Sequence, residues 1–352
     1  MSEAKTRRTR SSGAVTMSDV AQHAGVALGT VSKVLNRPDH VTPVILERVR
    51  ASIIELGFVR NRAAISLAAG VSNTVAFVLV DLANSYFTDM SRGAEQCATE
   101  AGKYLVLANS DIAPEKQRSY IEYFDEEQVA GVLLAPVGEN MLGIDRLDRS
   151  HRPVVVLDAS PDLTGRCAVS ADNRLAGRLA AQHLLERGCR HIAFVGGPLE
   201  QSRPVADRYL GAREAVAEAP GATFEHISSP GVVVDDGRHV GNILSDRPAA
   251  ALPDGVVAAA DLLALGLVQA ILNRTEYRFP DDIALIACDD NRSANDSVVP
   301  ISTINLPGHE MGRAGMTLLL EELADGAAHV HRHVTLAPSL TARESTLGRH
   351  LG

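Results

Sequence analysis

Three polar side chains on one short predicted helix offer hydrogen-bonding chemistry to a partner. The pattern of residues 28–35 turns its valines inward and leaves Thr30, Ser32 and Lys33 outside. Two hydroxyls and an ammonium group can contact phosphate oxygens and base edges. Leu28 and Gly29, at the start of the same helix, can make no side-chain hydrogen bond, although Leu28 can touch a thymine methyl. We therefore expect this helix to face a duplex.

A second helix is needed to hold that surface in place. Thr16 and Asp19 form a Thr-x-x-Asp capping box, apolar residues follow at helical spacing, and Gly25 ends the helix. Only two residues separate it from the helix that begins at Leu28, which is typical of a helix-turn-helix. Ala27 precedes that second helix and cannot cap it, and the loss of such a cap typically costs about 1 kcal/mol.

A third helix completes the predicted head. Thr42 stands at its N-cap, Pro43 at its first position, and Gly57 closes it after an apolar stripe. The alanine-rich segment 59–70 has good helix propensity but is too short to be helical in water without a partner. We expect this hinge segment to fold only when docked. Residues 1–15 are polar and aperiodic, and are expected to form a disordered arm.

Charge is distributed unevenly along the chain. Residues 1–70 carry ten Lys/Arg against five Asp/Glu, a net +5, whereas the remainder carries −14. A basic first fifth on an acidic chain directs that end toward phosphates, although the run 5–10 fits a solvated charge run better. The sequence contains no apolar run of about 18 residues and no signal-peptide core, so we expect a cytoplasmic protein.

From Thr74 onward, short apolar strands alternate with helices, and the pattern restarts after Asp172. Such alternation predicts parallel, doubly wound sheets in two similar lobes. Ligands of these folds bind outside the carboxyl ends of the strands, so the sequence predicts a small-molecule site in a cleft between the lobes.

Catalytic chemistry is not indicated. The sequence has no nucleophile–histidine–carboxylate arrangement and no phosphate-binding loop, and the adjacent Asp289 and Asp290 should point apart on a strand end. We therefore predict neither an enzyme nor a cofactor. The cysteines lack CxxC or Cys/His ligand spacing, which predicts reduced, buried thiols and no metal site. These cysteines are Cys97, Cys167, Cys189 and Cys288.

The head resembles the signature of the lactose-repressor (LacI) family of bacterial regulators. The similar run is Asp-Val-Ala-x-x-Ala-Gly-Val-x-x-x-Thr-Val-Ser-Lys-Val-Leu-Asn, from Asp19 to Asn36, and Leu67 matches the family's hinge-helix leucine. Residues 74–346 resemble the periplasmic-binding-protein fold of the family's effector domain. The implied fold class is an all-α helix-turn-helix head plus a hinge helix, followed by a two-lobed α/β periplasmic-binding-protein-like body.

The resemblance also implies a domain organisation. It gives a disordered arm at 1–15, a DNA-binding domain at 16–60, a hinge helix and linker at 61–73, and an effector-binding and dimerisation domain at 74–352. Lobe 1 would take about 74–171 and 305–336, and lobe 2 about 172–304 and 337–348. The chain would cross between lobes near 170–173, near 303–307, and before a final strand at 339–346.

Candidate site residues follow from the same resemblance. For DNA contacts they are Thr16, Ser18, Leu28, Gly29, Thr30, Ser32, Lys33, Asn36, His40, Asn61, Ala64 and Leu67. For the effector they are Tyr86, Phe87, Asp158, Arg208 and Asp289. Simpler interpretations remain open: a core position for Phe87, a helix cap for Asp158, and a surface ion pair for Arg208 and Asp289.

The chain departs from the family pattern at the cleft. Cys288 replaces a tyrosine, and Ala260-Asp261 replaces the usual Asn-Asp, leaving Asp261 as an expected helix cap. The loop before Arg208 is one residue longer, so the register of residues 201–203 is open. Because the chain has no tryptophan, we expect the usual stacking of a pyranose ring on an aromatic side chain less strongly.

The resemblance implies a ligand-responsive transcriptional repressor. A homodimer would bind a pseudo-palindromic operator, and a small, sugar-like effector in the cleft would control DNA affinity. The chain ends without leucine heptads, which favours a dimer. The alternative is a small-molecule binding protein without a regulatory role, and the sequence leaves inducer and corepressor equally open.

Overall fold

A computed structural model describes residues 15–59, 72–138, 141–158 and 165–348. The chain divides into two compact units, residues 1–71 and residues 72–352, which we call the head and the body. Across the described ranges, no helix combines the length and the apolar character needed to cross a membrane.

The head is a three-helix unit with α1 at Met17–Ala24, α2 at Leu28–Asn36 and α3 at Pro43–Leu56. A short 3-10 turn, Pro38–His40, joins α2 to α3. Six buried side chains form its small core, and all are small or β-branched, which lets short helices pack closely. They are Val20, Ala21, Ala24, Val31, Val34 and Val49.

The predicted helix ends are present with one difference. The Asp19 backbone N–H donates to Thr16 Oγ1 at 3.3 Å, and the Thr16 backbone N–H donates to Asp19 Oδ2 at 3.0 Å, so the capping box of α1 is confirmed. Gly25 and Gly57 adopt left-handed conformations with φ of 62°, as helix stops require. Ala27 makes no cap bond, as expected, but neither does the side chain of Thr42.

The described part of the body contains twelve strands. In chain order these are β1 Thr74–Leu79, β2 Tyr104–Asn109, β3 Val132–Leu134, β4 Val154–Leu157, β5 Cys167–Ala171, β6 His191–Val195, β7 Thr223–Ile227, β8 Gly255–Ala258, β9 Ala284–Asp289, β10 Ser302–Asn305, β11 His333–Leu336 and β12 Ser339–Thr341. They form a first sheet of order β11-β5-β4-β3-β1-β2 and a second sheet of order β12-β10-β9-β8-β6-β7. All pairings are parallel except that of β10 with β12.

Helices cover both sheets, as parallel strands require. They are α4 Ser85–Glu100, α5 Pro114–Glu126, α6 Ile144–Arg149, α7 Asn173–Glu186, α8 Arg203–Ala217, α9 Val234–Ser245, α10 Asp261–Arg274, α11 Arg292–Asn295 and α12 Gly308–Asp325. Helices α7 and α8 pack at Gly177, where an added Cβ would lie 1.8 Å from the carbonyl oxygen of Arg208. This close approach fixes the position of Arg208.

The chain passes between the two sheets three times. It does so from β5 to α7, from β10 to α12, which packs on β4 and β5, and from β11 to β12. The three crossings lie side by side, because the Asp172 N–H donates to the Leu336 carbonyl at 2.9 Å and Asn305 is opposite Ser339 in the β10–β12 ladder.

Candidate functional site

Helix α2 presents most of the predicted DNA-contacting side chains at the surface of the head. Leu28 is 51% exposed, Gly29 and Lys33 are exposed, and Thr30 and Ser32 are half-buried. Asn36 Nδ2 donates to Ser32 Oγ at 3.2 Å, which orders the outer face of the helix. The other exposed candidates are Thr16, Ser18, Asn36 and His40. Asn61, Ala64 and Leu67 lie outside the described residues.

Arg208 of α8 is the centre of a buried polar cluster in the body. Its Nε donates to Asn173 Oδ1 at 2.8 Å, and its Nη1 donates to the Ala259 carbonyl at 2.6 Å. The same Nη1 lies 3.2 Å from Asp289 Oδ1, and the two side chains are only 5% and 4% exposed. The interpretation of Arg208 and Asp289 as a surface ion pair is therefore wrong, because their pair is buried.

Asp158 joins this cluster from the end of β4. Asn173 Nδ2 donates to Asp158 Oδ1 at 3.4 Å, so one amide bridges the Arg208 guanidinium and the Asp158 carboxylate. Asp158 and Asp289 have φ of 54° and 111°, in a region that costs free energy for residues other than glycine. Backbone strain of this kind is concentrated at binding sites, where the surrounding structure maintains it.

Burial dominates the electrostatics of the cluster. It raises the pKa of Asp158, and it raises the pKa of Asp289 to about 6 although Arg208 opposes the shift. Burial lowers the pKa of Arg208, but Asp289, Asp158 and other neighbouring acidic groups together more than offset this, so the guanidinium stays charged. Burial and the two carboxylates raise the pKa of Tyr86 well above its ordinary value. We call Tyr86, Asp158, Arg208 and Asp289 the cleft cluster.

The start of α4 contacts the second sheet's loops. The Tyr86 N–H donates to Asn84 Oδ1 at 2.9 Å and to Asn291 Oδ1 at 3.1 Å. Asn84 Nδ2 donates to Asp289 Oδ2 at 3.4 Å. Phe87 packs edge-to-face on Tyr86, with ring centroids 5.4 Å apart, and is partly buried against the core. Tyr86 thus lies in the cluster, while Phe87 packs beside it.

Asp261 does not cap α10 as expected. Ala260 occupies the N-cap, and the buried Asp261 accepts from the Asn291 N–H at 2.6 Å and from Thr303 Oγ1 at 2.9 Å. It therefore fixes the loop that follows β9. Burial raises the pKa of Cys288 to about 12, so its thiol is neutral where the family pattern has a tyrosine.

Sequence reasoning missed three amide side chains around the cluster. Asn173 bridges Asp158 and Arg208. Asn84 and Asn291 hold the start of α4, and Asn84 also donates to Asp289. Asn173 had an available signal, because it follows directly on the first crossing between lobes. Asn84 and Asn291 each contact a residue 205 positions away along the chain, and nothing local in the sequence pairs them.

A cavity of about 230 Å³ adjoins the cluster. Asp158 and His333 line it from the first sheet, Asn173 lines it from the start of α7, and Arg203 and Asp207 line it from the start of α8. The cavity lies between β4, β5 and β11 of the first sheet and the start of α8 on the second. It is smaller than the roughly 300 Å³ at which drug-sized pockets begin, and most of its lining residues are polar, so it suits a small molecule with hydroxyl groups.

A helix-turn-helix head, followed by a two-sheet body with a polar cavity at the strand ends, defines a regulator with a DNA-binding unit and an effector domain. Residues 16–61 match the family model described as "Bacterial regulatory proteins, lacI family". Residues 181–346 match a "Periplasmic binding protein-like domain".

Relatives extend these matches over the whole chain. The ribose operon repressor of Halalkalibacterium halodurans is 30% identical over 334 residues, which cover 95% of this chain and 97% of that protein. The ribose operon repressor of Bacillus subtilis is 32% identical over 307 residues, covering 87% and 90%. The chain belongs to the LacI family, and the resemblance predicted from its sequence is confirmed.

Solved structures agree on the fold. The complex of the transcriptional regulator CelR with cellobiose has 30% identity and a TM-score of 0.68, covering 94% of this chain and 99% of that one. The lac repressor dimer bound to operator and the anti-inducer ONPF has 24% identity and a TM-score of 0.81, covering 96% and 100%. The predicted fold class is confirmed, and the protein is a transcriptional repressor with an effector domain rather than an enzyme.

Proposed function

We propose that this repressor binds a pseudo-palindromic operator as a homodimer, and that a monosaccharide in the cleft controls its affinity for DNA. The buried cleft cluster beside a small polar cavity carries this proposal. As part of it, residues 16–60 bind DNA, 61–73 form the hinge, and 74–352 bind effector and dimerise. The division into compact units after residue 71 supports these boundaries.

The chemistry of the cleft favours a polyhydroxy ligand. The Asp158 carboxylate lines the cavity and can accept hydrogen bonds from hydroxyls. Asp289 and the Arg208 fork lie buried behind it, and they would contact a ligand that reaches further into the cluster. Tyr86 and Phe87 supply the apolar surface that suits the C–H face of a sugar. A cavity of about 230 Å³ favours one sugar ring over two. The relatives named ribose operon repressor support a pentose.

Calorimetry with the full-length protein tests the effector proposal. Ribose and other pentoses are titrated first, then hexoses and nucleosides. Asp158→Asn keeps the side-chain shape but replaces a carboxylate acceptor, so we expect sugar affinity to fall roughly 10-fold or more, since hydrogen bonds to charged groups contribute about 1.5–3 kcal/mol. Asp235→Asn, on an exposed ion pair with Arg238, is the matched control. Binding of nucleosides but not sugars would overturn the sugar proposal.

An exposed apolar surface supports the homodimer. Strand β2 is an edge of the first sheet, and Val106 and Leu107 on it are each 42% exposed, with Leu82 and Ile112 near its carboxyl end also exposed. A hydrophobic edge strand is an aggregation hazard unless a partner covers it. We propose that a second copy of this chain covers it.

Sedimentation velocity on Leu107→Asp tests that surface. The new aspartate would be buried in the dimer interface, so the variant should be monomeric. Operator binding should weaken as the dimer is lost. Val298→Asp is the control, since Val298 is 89% exposed in the loop after α11 of the second lobe. A Leu107→Asp protein that remains dimeric would place the interface elsewhere.

Selection from a random duplex pool with the full-length protein tests DNA recognition. We expect a two-fold symmetric motif and an affinity that falls steeply with salt, because phosphate contacts release counterions. Lys33→Ala should reduce the salt slope by about 1, whereas Lys116→Ala in the body should not. Recovery of no symmetric motif would contradict the operator proposal.

Leu67 is proposed to insert into the minor groove from the hinge, kinking the operator at a cost of a few kcal/mol that the docked heads offset. Leu67→Ser should then remove operator bending in a circular-permutation assay and leave sugar affinity unchanged. Bending and affinity equal to wild type would exclude this role.

A further inference from the structure

Four potential metal ligands converge at the edge of the first sheet, away from the cleft cluster. Cys167 Sγ at the start of β5 lies 3.1 Å from His329 Nε2 and 3.8 Å from His331 Nδ1. His331 Nδ1 lies 4.0 Å from Glu322 Oε2 near the end of α12. All four ligand atoms lie within 4.8 Å of one another. We call these residues the thiol–histidine cluster.

The donor set and its dimensions fit one metal. One sulfur, two imidazole nitrogens and one carboxylate oxygen form a four-ligand set of the kind that tetrahedral Zn²⁺ takes. Ligand bonds of about 2.0–2.3 Å place neighbouring donor atoms roughly 3.3–3.7 Å apart in a tetrahedron. The observed separations of 3.1, 3.8 and 4.0 Å bracket that range, so side-chain shifts of about 1 Å would complete the geometry.

The surroundings orient His329 as a ligand. Its Nδ1 lies 3.4 Å from Asp325 Oδ2, while its Nε2 faces Cys167. A carboxylate at Nδ1 holds the proton there and leaves the Nε2 lone pair directed inward, as in carboxylate–histidine–zinc arrangements. The His329 side chain is only 3% exposed, and its ring packs edge-to-face on His331 at 5.3 Å.

Glu322 supplies an independent indication. Its Oε2 is buried and accepts no hydrogen bond from any described residue. A buried carboxylate oxygen without a donor costs free energy, and structures normally satisfy such atoms. This oxygen faces His331 on the inner side of the cluster, where a cation would satisfy it.

We infer that Cys167, Glu322, His329 and His331 form a Zn²⁺ site. The ion joins the start of β5, the end of α12 and the segment that leads into β11, three parts of the chain that are up to 164 residues apart. This site is separate from the proposed effector site and does not depend on sugar or DNA binding.

Zinc competition on the full-length protein tests the inference. The protein carries no polyhistidine tag, is stripped with a chelator, and is titrated with Zn²⁺ against a chromophoric zinc indicator. We expect one Zn²⁺ per chain and a rise in melting temperature on zinc addition, because an ion that binds only the folded state stabilises it. Co²⁺ in place of Zn²⁺ should give the visible bands of a tetrahedral site together with a thiolate charge-transfer band.

Variants assign the ligands. Cys167→Ser should abolish the thiolate band and weaken Zn²⁺ by more than about 100-fold, while Cys97→Ser, a buried cysteine near Thr317, should do neither. His331→Ala removes a more exposed ligand with little risk to folding, and exposed His239→Ala is its control. Asp325→Asn should weaken Zn²⁺ by roughly 10- to 100-fold and leave the thiolate band in place.

The outcomes separate this inference from a simple thiol–imidazole hydrogen bond. Wild-type zinc affinity in both Cys167→Ser and His331→Ala, substoichiometric binding, or a Co²⁺ complex without a thiolate band would each overturn it. Operator and sugar binding are measured in parallel on the same preparations. A loss of operator or sugar binding in the wild-type protein would contradict the proposed function. It would not affect the conclusion about zinc.

Discussion

The body contains two buried polar clusters that differ in where their positive charge comes from. In the cleft cluster the cation is the chain's own Arg208, which donates hydrogen bonds to Asn173 and Ala259 and forms an ion pair with Asp289. In the thiol–histidine cluster, donor atoms converge on one point, and no ion pair in the described part of the chain joins Glu322 to a lysine or arginine. A cluster whose carboxylates share an internal guanidinium suits a polar ligand, whereas converging donor atoms with no cation bonded at their centre suit a metal ion.

Removing the internal cation should produce the largest effect. Arg208→Ala leaves Asp289 buried without its partner, and breaking a buried pair in this way costs about 3–5 kcal/mol. Urea denaturation of the full-length protein measures the loss. Arg213→Ala, on the same helix but exposed and stacked on Tyr209, should cost about 1 kcal/mol or less. Equal losses in the two variants would show that the pair does not hold the cleft.

Titration of the cleft should give the next largest effect. Burial raises the pKa of Asp289 to about 6, above its unfolded value near 4, so the folded state binds the extra proton. Protonated Asp289 therefore contributes to the free energy of unfolding in full below about pH 4. This contribution of about 2–3 kcal/mol is lost as the pH rises through about 6.

Asp289→Asn removes this titration. We expect the slope of stability between pH 4 and pH 6.5 to become smaller, while the raised pKa values of Asp158 and Asp261 keep their own contributions. Denaturation curves across this interval compare it with wild type and with the exposed Asp235→Asn. Parallel slopes for wild type and Asp289→Asn would mean that Asp289 titrates as a solvent-exposed group does.

The smallest change in unfolding free energy is expected at the thiol–histidine cluster. In the presence of a chelator, Glu322→Gln should change the unfolding free energy by about 1 kcal/mol or less, because Oε2 has no hydrogen bond to lose. Glu321→Gln, which removes an exposed ion pair with Arg332, should behave alike. With zinc present, only Glu322→Gln should lose the added stability. A loss of 3 kcal/mol under chelator would mean that the chain itself neutralises Glu322.

The two clusters also differ in how far the sequence predicts them. The head and most strands follow local rules: the capping box at Thr16, the stops at Gly25 and Gly57, and short apolar runs. Arg208 and Asp289 were predicted by resemblance, because their chemistry depends on a fold that brings α8 to the end of β9. The cap assigned to Asp261 was wrong, since its bonds to Asn291 and Thr303 are long-range and no local pattern encodes them.

The thiol–histidine cluster was missed for a physical reason. Metal-ligand spacing rules describe ligands on one hairpin or helix, whereas Cys167 and His329 are 162 residues apart. They meet because β5 and β11 are parallel neighbours, and neither strand was predicted from the sequence. The alternating histidines at 329, 331 and 333 were the available signal, since alternate residues of an extended chain lie on one side.

The side-by-side arrangement of the three lobe crossings limits how the body can move. The Asp172–Leu336 hydrogen bond holds two crossings together at the first sheet, and the β10–β12 ladder holds two together at the second. Rotation of one lobe about the row of crossings keeps both. Rotation about this row is therefore a low-cost relative motion of the lobes, as in hinge closure. Binding free energy gained in the cleft can drive this rotation, so ligands of different shape can favour different interlobe angles.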